Sequence, residues 1–473
     1  MSEHSTLWSW NNPMNDAPAI TFVAVGVLLI LGLSELFKKK GFSKEWTRKT
    51  AHIGAGLLAI PFPWMFDSIW PVVLLCGTFL GIMLLSKMLN LFEGVHGVER
   101  KSLGAFVFPM IIILIFGLAY GNPLHYSIPI AVLSLSDAIA ALIGKKYGQY
   151  TYHTLGEARS IEGSTAFLLP TFLIVHIPLL LLTETGRPEC VLMALGCAIL
   201  VTAFEMISVR GLDNVFIPFG TWYILNNYAQ YPVDELSYRI GFMLFAGMLF
   251  LLAIRYTIFT RTGSVAGFLV LYAIFSLGES TFFLPALSIY MPLLGLAIVS
   301  RFWSTDKIPP LGVSHTFQTS IVAILILFVH DNIQVNWLIS PFLTAIAGGV
   351  SVVVVGIKKH LASDLLIFGL ILTLLGPVTY LLLQEKVDSH QLSLMVVTWI
   401  CSYVVILIFA YAKRYKAVFT CVECGIKTHE KRHCQKDTDL TTGHHFFTES
   451  RIGLLSIFVG TSLCIGWNFF TIN

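Results

Sequence analysis

Residues 134–164, SLSDAIAALIGKKYGQYTYHTLGEARSIEGS, set a carboxylate inside an apolar helical pattern. A lysine pair, spaced glycines and Arg159-Ser160-Ile161-Glu162-Gly163-Ser164 follow it. An ionisable residue in a membrane helix is costly and by default points to function, so Asp137 is the first candidate. Ser134, Asp137, Ala141, Gly144 and Gly148 recur at helical spacing and form one small, polar stripe. Leu135, Ile139 and Leu142 face the other way, toward lipid or core. If the loop beyond Gly148 folds back, Lys145, Lys146, Arg159, Glu162 and the amides around Gly144, Gly148 and Gly163 surround a phosphate-sized space. Asp137 and Glu162 could then share magnesium, which is usually held by one or two carboxylates plus substrate phosphates.

The whole chain belongs to the membrane. Of its 473 residues 56% are hydrophobic and 12% charged, whereas soluble domains stand nearer half and a quarter. Apolar runs of spanning length recur from residue 19 to residue 470. At about 20 residues per span they predict an all-α, polytopic helical bundle of roughly thirteen to sixteen transmembrane helices. The start, MSEHSTLWSWNNPMNDAP, has neither the basic beginning nor the cleavage site of a signal peptide, so the first run is expected to stay as a helix. Lys38, Lys39, Lys40, Lys44, Arg48 and Lys49 follow it and read as cytoplasmic, with the phosphate-sized site on the same side. The formal net charge of +3 gives no basis for binding nucleic acid.

Three further groups of polar residues have both a structural and a chemical reading. Arg48, Lys49 and His52 fall within little more than one helical turn. They are either cations snorkelling at a membrane edge or a phosphate-binding group, with His52 able to deprotonate a hydroxyl. Arg100, Lys101 and Ser102 precede an apolar run, either as a topological anchor or as an anion site at a helix start. Asp213 and Asn214 are either a helix cap or contacts to substrate or metal.

These pieces carry a resemblance. Asp137, Ala140, Gly144, Gly148 and the Arg159–Ser164 run resemble the CTP-using polyprenol kinases, the family of dolichol kinase and phytol kinase. Arg48-Lys49-Thr50-Ala51-His52-Ile53 looks like that family's first element, and Glu99-Arg100-Lys101-Ser102-Leu103-Gly104 with Phe108-Pro109 like its second. Glu205 followed by Asp213-Asn214-Val215-Phe216-Ile217-Pro218 looks like its last. The match covers roughly residues 15 to 230 and departs at Ala158-Arg159, where many members carry a lysine pair. The resemblance implies nucleotide binding by Lys49, Arg100, Gly144, Lys145, Gly148, Arg159, Ser160 and Gly163. It implies catalytic roles for Asp137, Glu162 and His52, with magnesium on Asp137 and Glu162 and CTP as phosphate donor.

Residues 1–235 are therefore expected to form the kinase-like membrane domain and residues 236–473 a second one. Arg261-Thr262-Gly263-Ser264 and the segment from Ala410 through His445 resemble the membrane family that contains phytyl phosphate kinase. The acidic segment of that family is missing, since Gly348–Val355 holds no acid, and this implies a degenerate domain built for packing or lipid channelling. Five cysteines lie singly in apolar runs and read as small hydrophobes. In the 413–450 loop, Cys421, Cys424, Cys434 and His444 could bind structural zinc, with free thiols or a disulfide as the alternatives.

The expected activity is transfer of the terminal phosphate of CTP to a membrane-dissolved isoprenoid alcohol of the phytol, geranylgeraniol or dolichol type. The alternatives are a cytidylyltransferase that forms a CDP-lipid and, from another class, a membrane transporter or scaffold. Inverted repeats would favour the transporter, and the two halves show no convincing internal symmetry.

Overall fold

The computed structural model describes residues 13–88, 104–154, 157–209, 211–256, 259–303, 310–333, 338–357, 373–384, 391–405, 457–459, 461–462 and 465. The chain packs as two compact units, Met1–Leu244 and Phe245–Asn473.

In the first unit, α1 (Pro13–Lys39) ends on Lys38 and Lys39, cations suited to a helix carboxyl terminus. The chain reverses at Gly41, whose φ of 84° favours glycine. Ser43 caps α2 (Lys44–Ala59) by accepting from the Trp46 amide at 3.4 Å, and α2 packs back along α1. After the short α3 (Phe62–Met65) come α4 (Ile69–Met88) and α5 (Gly104–Leu118), which pack on each other. Gly121, at φ 85°, makes the next reversal. Asn122 then caps α6 (Pro123–Ala131), whose first residue is a proline that needs no amide partner there.

The helix that begins at Pro123 continues through a π-helical turn at Val132–Ser136 into α7 (Asp137–Tyr147). A two-stranded antiparallel hairpin follows, β1 (Thr151–Thr154) and β2 (Glu157–Ser160), with Tyr152 opposite Arg159. So the segment beyond Gly148 does fold back, as a hairpin. Ser160 ends β2 and caps α8 (Ile161–Leu182), accepting from the Gly163 amide at 3.1 Å. The unit continues with α9 (Arg187–Ile207) and α10 (Asp213–Tyr228), then runs into α11 (Val233–Arg255). The core is α7 on α8, α8 on α9, and α9 on α10.

In the second unit α12 (Arg261–Trp303), α13 (Val313–Ile333) and α14 (Ile339–Ile357) pack on one another. Thr260 caps α12 by accepting from the Gly263 amide at 3.0 Å.

Among the described residues, seven helices are long and apolar enough to cross a membrane, and six shorter apolar helices accompany them. The protein is an all-α, multi-pass membrane protein, as its composition predicts. Cys76, Cys190, Cys197 and Cys401 are buried free thiols, which fits their reading as small hydrophobes.

Candidate active site

Two buried ion pairs form the centre of the first unit. Lys49 lies on α2 and Asp137 at the start of α7, and both residues are at least nine-tenths buried. The Lys49 ammonium donates to Asp137 Oδ2 and lies 3.5 Å from the Asp137 carbonyl. One turn along α2, His52 places Nε2 at 3.6 Å from the same Oδ2 and 3.3 Å from the carbonyl of Leu133. Leu133 sits inside the π turn. There, bonding five residues apart disturbs the regular backbone ladder, and such turns are frequent at functional sites. The π turn also brings Ser134 hard against Gly56 of α2, where no side chain would fit.

The second pair joins the hairpin to α9. Arg159 Nη1 donates to Glu205 Oε1, and Nη2 donates to the Ser208 carbonyl at 2.8 Å. Asp213 Oδ2, at the start of α10, is 3.6 Å from Nη2. Glu205 Oε2 accepts from Ser164 at 3.1 Å, and Ser164 lies 2.8 Å from the Tyr152 hydroxyl. Burial alone would lower the pKa of Arg159. The Glu205 and Asp213 carboxylates outweigh it and hold the guanidinium above its ordinary value, so it stays charged. Burial, with the nearby Glu205 charge, pushes the Tyr152 phenol up to about 12, so it remains a neutral donor. The two pairs share one electrostatic neighbourhood, since Asp137 acts on both Arg159 and Asp213.

All four ordered sequence elements meet here. Lys49 and His52 supply the first. The second is joined to it by Phe108, whose ring centroid is 4.9 Å from that of His52. It is joined to the last by Gly104, whose carbonyl accepts from Asn214 Nδ2 at 3.0 Å. Asp137 and Arg159 bring in the third element, and Glu205 and Asp213 the fourth.

Other expected site residues sit differently. Glu162 accepts from the Tyr150 amide at 3.1 Å. Tyr150 lies past the end of α7, and Asp137 lies at its start. Asp137 contacts Lys49 and His52, and Glu162 contacts the Tyr150 amide. Gly144 and Gly163 are the crossing point of α7 and α8: a Cβ on Gly163 would lie 3.1 Å from the Ala140 carbonyl and from Gly144 Cα. Gly148 abuts Ser160 and the Gly144 carbonyl just as closely. These three glycines are packed against protein, and the Ser160 hydroxyl accepts from the amide of Gly163. Lys145 is exposed near the end of α7. The Ser134–Gly148 stripe serves two neighbours, with Ser134 against α2 and Gly144 against α8. Arg100 and the Cys421, Cys424, Cys434 and His444 group lie outside the described residues.

Glu205 and Ser164 belong to the sequence elements but carried no assigned role, and Tyr152 was not singled out. For Glu205 the signal was available: it is a carboxylate in the last turn of an apolar helix, as costly there as Asp137. Ser164 closes the Arg159–Ser164 run, and nothing local marks Tyr152.

The site fits magnesium in part. Among the described residues no three His, Cys, Asp or Glu side chains gather as a ready metal cage. Magnesium in nucleotide sites needs only one or two carboxylates, with phosphates and waters completing the shell, and Asp137 offers such a carboxylate.

No family model matches the chain, and no solved structure matches it significantly. The phytol kinase of Synechocystis sp. is 31% identical over 221 residues, which are 45% of this chain and 92% of that enzyme. With four kinase-like elements gathered around two buried ion pairs and a relative covered over nearly its whole length, this chain belongs to the phytol kinase family and carries a kinase of the polyprenol type.

Proposed function

We propose that the protein transfers the terminal phosphate of CTP to the hydroxyl of a membrane-dissolved isoprenoid alcohol of the phytol, geranylgeraniol or dolichol type. The observation that carries this reading is the convergence of the four elements on Lys49–Asp137 and Arg159–Glu205–Asp213. Phosphoryl transfer demands positioning and charge stabilisation more than covalent chemistry, and cations fixed by buried carboxylates supply both.

Each residue then has a task. Lys49 has three donors and offers two oxygens of Asp137 part of its hydrogen-bonding capacity, leaving one donor for a phosphate. Arg159 opposes the negative charge of the transferring group. Asp137 would hold magnesium, which when bound neutralises phosphate charge. His52 is tied to the Leu133 carbonyl and so is held facing Asp137, with Nε2 3.6 Å from the carboxylate it helps to confine. Asp213, only loosely held by Arg159, is the acceptor for the alcohol proton. As the alcohol oxygen bonds to the terminal phosphorus, the bond from that phosphorus to its bridging oxygen breaks and CDP leaves. The basic residues from Lys38 to Lys49 support putting this chemistry at the cytoplasmic edge, where aqueous nucleotide and dissolved alcohol meet.

The test is direct. Purified protein in lipid, given CTP labelled in its terminal phosphate and a panel of prenols, should move label to a prenol and release CDP. Release of pyrophosphate with a lipid phosphate acceptor would establish the cytidylyltransferase instead.

A further inference from the structure

We infer that Glu205 is a positioning residue for the reaction: it fixes the Arg159 guanidinium from behind, through a hydrogen-bond relay that locks the hairpin to α8 and α9. The inference rests on the reading of Arg159 as the cation that opposes the transferring phosphate.

Both oxygens of Glu205 are engaged within the protein, one by Arg159 and one by Ser164. The direction of the relay follows from donor chemistry. An ionised carboxylate only accepts, so Ser164 gives its single hydrogen to Glu205 and must accept from Tyr152, whose hydroxyl is 2.8 Å away. Tyr152 and Arg159 are opposite each other in the hairpin register, so their side chains leave the same face. Thr154 lies two residues from Tyr152 on β1, and its hydroxyl donates to the Met206 carbonyl at 3.1 Å. One face of the hairpin is thus pinned to the end of α9, at Glu205 and Met206 in its last turn and at Ser208 just past it.

The consequence for Arg159 is geometric. Glu205 holds Nη1 and the Ser208 carbonyl takes one hydrogen of Nη2, leaving the other directed toward the Asp213 side, where the contact is 3.6 Å. That loosely engaged corner is a part of the guanidinium a ligand can use, beside the Nε–H, which is buried without a hydrogen-bond partner among the described residues. Without Glu205 the charge remains but its direction is lost.

A double-mutant cycle on the full-length protein in lipid tests this, read by the Kd for labelled CTP and by the split between kcat and KM. Glu205→Gln should weaken nucleotide binding about tenfold, and Glu205→Asp should recover part of that loss. Ser164→Ala and Tyr152→Phe, which remove one neutral link each, should weaken it only about two- to threefold. In an Arg159→Met background, Glu205→Gln should add nothing, because its effect passes through Arg159. An additive loss, or a loss of thermal stability with Kd and KM unmoved in all three milder variants, overturns the inference. A wild-type protein that binds CTP with this coupling yet labels no prenol strikes at the kinase reading and leaves the positioning role standing.

Discussion

The two units bury polar side chains of different kinds. In the first, Lys49, Asp137, Glu205 and Asn214 are buried beside the hydroxyls; among the described residues of the second, the buried polar side chains are all serines and threonines. Those hydroxyls largely satisfy themselves. Thr344, Thr398, Ser402 and Thr461 each donate to the carbonyl four residues earlier in their own helix. A back-bonded hydroxyl is cheap in an apolar bundle, whereas a buried ion pair often stabilises less than an apolar replacement of the same shape. Charges kept at such a cost are what the proposed reading expects of a unit that does chemistry, and the described residues of the second unit bury only hydroxyls in their place.

The sharpest way to break this contrast is Asp137→Asn. It should lower transfer at least a hundredfold, the scale for removing one preorganised charge. It also leaves Lys49 buried without its counter-ion, a loss of about 3–5 kcal/mol. Lys49→Met combined with Asp137→Asn should regain much of the lost melting temperature and none of the activity. Recovery of activity in the double variant would reduce the pair to a packing feature.

Next in size is Gly163→Ala at the α7–α8 crossing. The added methyl meets backbone on both sides at 3.1 Å, which cannot yield as a side-chain end can. Overpacking of this kind costs about 1–3 kcal/mol, to be seen as a lower melting midpoint. Because the hairpin that carries Arg159 leads into α8, nucleotide affinity should fall with it.

Charge removal in the second unit should do less. Substituting Lys358, Lys359, Asp364 or Glu385, which lie outside the described residues, is expected to change activity by under about threefold at equal abundance, or less than about 0.7 kcal/mol. Effects as large as those at Asp137 would make the second unit an active site in its own right. The smallest effect is expected from Ser402→Ala, whose hydroxyl bonds only within its own helix; its stability should shift by about 0.6 kcal/mol or less in thermal unfolding.

The sequence by itself determined the all-α membrane class, because long apolar runs have few ways to satisfy their backbone in lipid other than as helices. It also singled out Asp137, since a carboxylate among apolar residues is conspicuous whatever surrounds it. The tertiary structure alone decided partnership. Lys49 and Asp137 are 88 residues apart and Arg159 and Glu205 are 46 apart, and no local pattern states which cation meets which acid. It set Glu162 on the Tyr150 amide and Asp137 on Lys49, and it packed Gly144 and Gly163 against each other where α7 crosses α8. Spacing along a chain fixes which residues share a helix face, but what that face meets depends on how the helices pack. Here the π turn at Val132–Ser136 and the hairpin at Thr151–Ser160 set those meetings.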